Sequence, residues 1–223
     1  MFTALRWRVW GGILMRSVKP SGRVAGTVLV VLGVVATLAA LLIPVYFFDG
    51  NRTIALSRAG WQDDGKGTWK TEYGPLTSLD RDFLRSVRSA GLWEVPAGRA
   101  AQRSTERSVR LVGDHVVEGC GELDKRVIEA SRTLKVSLPN RATDDQRKYL
   151  LEIENANGKK ADEVLVNRLR KQGGSSLALV SLVRDQTSNS MVRSLATRAN
   201  SIVLDHVSVL EETGMVDYEA LTQ

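Results

Sequence analysis

Four side chains in this sequence have the types and positions to do chemistry: Glu94, His206, Cys120 and His115. Glu94 interrupts an apolar stripe at three- and four-residue spacing, Leu79, Phe83, Val87, Ala90, Glu94, Ala97 and Ala101. His206 does the same within Val192, Leu195, Ala199, Ile202, His206 and Val209. A carboxylate and an imidazole on core-facing positions must find partners or change protonation state, because an unpaired buried charge is costly. The chemical reading is a metal or acid/base site between helices. Di-metal carboxylate bundles complete their ligand set with a Glu-x-x-His motif, and it is missing here, since Val112 and Val203 stand three residues before His115 and His206. We therefore expect Glu94 and His206 to be a structural pair that bond each other or backbone groups and fix helix register, with no cofactor. The alternative is a divalent transition metal or redox site using Glu94 and His206, with Cys120 and His115 as further ligands. Cys120 is expected to be a small core residue. His115 lies five residues before it, about 140° away around a helix at ~100° per residue, a poor position for joining it.

No other chemistry stands out. The sequence has no P-loop, no GxSxG, no CxxC and no HExxH, and with one cysteine and two histidines it can form neither an intramolecular disulfide nor a histidine-rich metal centre. No catalytic residue is assigned, and a non-enzymatic protein is expected. Lys159, Lys160, Arg168, Arg170 and Lys171 read as the solvated face of a helix.

The elements that must position these residues are helices. A first helix starts near Ser78 and meets Pro96, which should kink it. A second, capped by Ser104 or Thr105, carries Val109, Val112, Val116, Cys120, Leu123, Val127 and Leu134 and stops near Lys135. Thr143, Asp144 and Asp145 open a third helical region with Leu150, Ile153, Ala161, Val164, Leu165 and Leu169; Asn157-Gly158 and Gly173-Gly174 are its weak points. Ser188 or Asn189 caps a last helix ending near Gly214. No strand-like alternation of useful length is seen, and four amphipathic helices with short loops imply an antiparallel four-helix bundle over residues 78–223.

Ahead of that bundle lies an uninterrupted apolar run, Val24 to Phe48, without a charged side chain. As a helix it would extend ~37 Å, enough to span a hydrocarbon core of ~30 Å. A signal peptide core of about 7–15 residues would be shorter, so the run is expected to stay attached as a signal-anchor. Arg6, Arg8, Arg16, Lys19 and Arg23 precede it with no acidic residue, which places residues 1–23 in the cytoplasm as a basic stub and the bulk of the chain outside. Residues 49–77, rich in glycine, read as an extracytoplasmic linker in which Trp61, Trp69 and Tyr73 either dock on the domain or lie near lipid headgroups. The net charge of +6 is no nucleic-acid signal, because five of those charges precede the span. The expected partners are the membrane, through residues 24–48, and an envelope protein or wall component.

The segments LDRDFLRSVRSAGLWEVPAGRAAQRS (Leu79 to Ser104), VRLVGDHVVEGCGELDKRV (Val109 to Val127), LKVSLP (Leu134 to Pro139) and NSMVRSLATRANSIVLDHVSVLE (Asn189 to Glu211) resemble the exported bacterial family catalogued as domain of unknown function forty-one forty-two. The resemblance covers about Thr77 to Gly214. It implies a ferritin-like four-helix bundle, sometimes labelled "predicted outer membrane protein", with no established activity. It aligns the family's first-helix glutamate with Glu94 and its late histidine with His206. The family's second-helix Asp-His aligns with Gly119 and Cys120, and its third-helix histidine with about Gly173, so two of three family histidines are replaced here.

Overall fold

The computed structural model describes residues 31–34, 36–37 and 61–222. The chain divides into two units, Met1–Gly50 and Asn51–Gln223. In the first, the described residues are helical, with Val31, Leu32 and Val34 exposed. Among the described residues no helix is long and apolar enough to cross a membrane; most of the expected span, Val24 to Phe48, lies outside them.

The second unit is mostly helical. A two-stranded antiparallel hairpin, β1 (Trp69–Thr71) and β2 (Gly74–Leu76), leads into α1 (Ser78–Ala101), α2 (Arg107–Leu134), α3 (Asp144–Asn155), α4 (Lys159–Gln186) and α5 (Ser190–Glu212), followed by a 3-10 turn at Ala220–Thr222. Local chemistry explains the boundaries. Thr77 and Thr143 each form a capping box, with Asp80 and Gln146, and the Asn189 side chain accepts from Val192 N–H. α2 begins after Glu106, later than Ser104 or Thr105; the Ser104 hydroxyl accepts from Glu106 N–H and donates to Asp162. It ends where Lys135 turns left-handed at φ 58°. Gly158, at φ 53°, separates α3 from α4, so the third helical region is two helices.

α1 continues through Pro96 as one element, and α4 continues through Gly173 and Gly174. The four long helices pack in a ring, α1 on α2, α2 on α5, α5 on α4 and α4 on α1, with α3 against α1 and α4. Around that ring neighbouring helices are antiparallel. Along α2 and α5, for example, His115 meets Asp205 and Glu122 meets Arg198. α3, by contrast, runs parallel to α1, Ser89 meeting Gln146 and Trp93 meeting Tyr149. The interior divides into two apolar clusters. Phe83, Leu84, Val127, Val180 and Val192 centre one, toward the hairpin; Trp93, Val112, Val116, Leu165 and Leu210 centre the other. Trp93 is fully buried although it lies off the first-helix stripe, because α3 adds a second contact surface on which Tyr149 packs edge-on at 5.7 Å.

The hairpin occupies sequence expected to be a linker without secondary structure. Trp61, Trp69 and Tyr73 pack against the first apolar cluster, which decides between the two placements in favour of the domain. Arg81, fully buried at the start of α1, holds the segment down: Nε and Nη2 reach Asp64, Nη1 donates to the Leu76 carbonyl, and the guanidinium lies 4.4 Å from the Trp69 ring centroid. Those donors hold the Asp64 carboxyl well below the usual carboxylate range.

Candidate functional site

Where the two apolar clusters meet, three elements bring polar side chains inward. α1 supplies Glu94, α2 supplies Cys120 and α5 supplies His206, and one ligand atom from each lies within 4.8 Å of the other two. Each sits on an apolar stripe, so the periodicity that builds the core also aims these groups into it.

Cys120 Sγ donates to Glu94 Oε2 at 2.9 Å. His206 Nε2 lies 3.0 Å from the His115 carbonyl oxygen. A carbonyl can only accept, so Nε2 carries the hydrogen and the neutral ring keeps its lone pair on Nδ1. This is the arrangement in which metal-binding histidines are oriented by their other ring nitrogen. Burial holds His206 below the usual imidazole range, against the opposing hydrogen bond to His115. Burial likewise pushes the Glu94 carboxyl up, and it pushes the Cys120 thiol well up, with the neighbouring Glu94 carboxylate adding to the effect. All three groups are thereby biased toward their neutral forms.

Glycine makes the approach possible. A Cβ on Gly119 would fall 2.5 Å from His206 Nε2 and 2.7 Å from Ile202 Cγ2, so the absence of a side chain there admits the imidazole. Gly173, where a Cβ would come within 2.9 Å of Val207 Cγ2, lines a narrow space beside Glu94 and His206. Gly173 thus stands beside Glu94 and His206 without itself offering a ligand atom.

Of the four candidate ligands, the structure brings three together. His115 is turned aside: its Nδ1 meets Asp205 at 2.7 Å in a part-exposed pair, and only its backbone carbonyl serves the centre. His206 bonds a backbone carbonyl, one of the two partners expected for it, whereas Glu94 has Cys120, which was not expected as its partner. Sequence reasoning missed Gly119 as the residue that opens the space. It also missed the polar mouth of a cavity beside Glu94, where Gln172 Nε2 donates to Ser176; the signal was the run Gln172 to Ser176, polar or glycine inside an otherwise helical pattern.

Fold and centre together define a class, the antiparallel helical bundle with a mixed carboxylate, thiol and imidazole cluster at its core. The family model described as Domain of unknown function (DUF4142) matches residues 69–212, and the chain belongs to that family. No curated protein and no solved structure gives a significant match.

Proposed function

We propose that this chain is a membrane-anchored, extracytoplasmic, ferritin-like bundle that holds one divalent transition-metal ion between Glu94, Cys120 and His206. The observation that carries the reading is the convergence of three chemically different donors within 4.8 Å. In a tetrahedral site with bonds of ~2.0–2.3 Å, ligand atoms stand roughly 3.3–3.7 Å apart, so modest contraction completes the set. Thiolate, imidazole and carboxylate together favour Zn²⁺ or Fe²⁺ over Mg²⁺ or Ca²⁺. The apolar run from Val24 to Phe48 and the basic residues before it support the anchor and its orientation.

A second reading has its own support, because Cys120 and Glu94 already bond each other and His206 already has a carbonyl partner. On that reading the polar centre only fixes register, and the bundle works as a non-enzymatic module that binds an envelope protein or wall component. Thermal denaturation of the full chain with and without Zn²⁺, Mn²⁺ or Fe²⁺ separates the two. Metal binding to the native state raises the wild-type melting temperature, and Glu94→Ala, Cys120→Ala and His206→Ala each remove that rise. A rise that survives all three substitutions, or none in the wild type, rejects the metal centre.

A further inference from the structure

Glu94 faces a second space on its other side. Between α1 and α4 lies a cavity of about 140 Å³, close to the ~150 Å³ of an apolar cavity that accepts one benzene ring. Phe83, Val87, Leu179 and Val180 form its walls, and Glu94 and Cys120 lie at its inner end. Its mouth is polar: Ser175 is exposed and Gln172 half-buried. Small residues line it on both sides, Ala90 on α1 and Ser176 on α4, while larger neighbours keep the helices apart.

We infer that this cavity binds one small, uncharged, mostly apolar molecule, the size of a singly substituted benzene, with a hydroxyl group turned toward the Glu94 carboxyl. Volume sets the size, and the aliphatic and aromatic walls set the apolar body. Among the described residues no Lys or Arg lines the cavity, so an anion would be taken out of water without a counter-ion. One Glu94 oxygen accepts from Cys120, and the carboxyl has bonding capacity left for a hydroxyl. The inference shares Glu94 and Cys120 with the proposed metal centre but does not require a metal.

Thermal denaturation of the full chain, freed of metal by chelator, tests it with three probes: benzyl alcohol, benzoate and benzylamine. Benzyl alcohol at millimolar concentration is expected to raise the wild-type melting temperature by roughly 2–4 °C, and the two charged probes to leave it unchanged. Ala90→Leu and Ser176→Leu, at half-buried positions on different helices, fill the space and abolish the response; either variant suffices if the other fails to fold. Both keep Glu94, Cys120 and His206, so a metal-dependent rise that persists in them shows the two sites failing or succeeding separately. No response of the wild type to benzyl alcohol, an equal response in the filled variants, or a stronger response to benzoate or benzylamine overturns the inference.

Discussion

His206 reaches the interior of the bundle because position 119 carries no side chain. Gly119→Ala forces the imidazole or Ile202 aside; overpacking of this kind typically costs ~1–3 kcal/mol, measurable by denaturant unfolding, and here it should also weaken metal binding. The pH dependence follows from the direction of each shift. Burial keeps Glu94 protonated to higher pH in the folded chain than in the unfolded one, so its contribution to stability falls as pH rises above about 4.5. His206 behaves oppositely: the unfolded chain takes up its proton first, and stability falls as pH drops below about 6.5. Without metal, Glu94→Gln is therefore expected to gain on the wild type between pH 5 and pH 8, and Glu94→Ala to do worse than Glu94→Gln; unfolding midpoints across that range check both. Stripe periodicity placed Glu94, Cys120 and His206 in the core, because spacing encodes which residues share a helix face. It could not tell which of them meet, since helix rotation and register are set by packing across elements. That is why Cys120, and not His206, proved to be the partner of Glu94.

At the scale of elements, Asn189 joins two that are distant in sequence. Its Oδ1 caps α5, and its Nδ2 donates to Thr71 Oγ1 and the Gly74 carbonyl in the hairpin. Asn189→Ala removes cap and tie together and should cost about 2–3 kcal/mol, whereas Asn189→Asp keeps the cap, loses the donor and should cost less. The Lys135 end of α2 offers the reverse: glycine adopts its left-handed backbone freely, so Lys135→Gly should stabilise by ~0.5–1 kcal/mol. Both effects are read from chemical denaturation. The caps at Asn189 and Thr143 were legible, because side-chain oxygens before an apolar periodic run have a local mechanism. The hairpin was not legible. Strands of three residues are too short to show alternation, and Gly74 and Pro75, which look like linker chemistry, sit inside it. Gly173 and Gly174 misled in the opposite direction, since neighbouring helices hold α4 together despite low helix propensity.

For the second unit as a whole, the consequence is that the folded body begins well before α1. A chain starting at residue 61 keeps Trp61, Asp64, Trp69 and Tyr73 against the bundle, whereas one starting at residue 75 strips cover from the first apolar cluster and leaves Arg81 without Asp64. Both should be strongly helical by circular dichroism, and the longer should melt several degrees higher; equal melting temperatures would show that the docked hairpin adds no stability. The mostly helical character was legible from amphipathic stripes. The division of the core at the polar centre, and the α1–α4 cavity beside it, arise only once the helices are assembled. The central claim is the metal centre, and titration of the purified full chain with Co²⁺ as a spectroscopic stand-in tests it most directly. Burial keeps the Cys120 thiol and the Glu94 carboxyl toward their protonated forms, so binding should release protons and tighten as pH rises. The expected result is a sulfur-to-cobalt charge-transfer band that saturates at one equivalent and is absent in Cys120→Ser. No such band, or one unchanged in Cys120→Ser, would contradict the account.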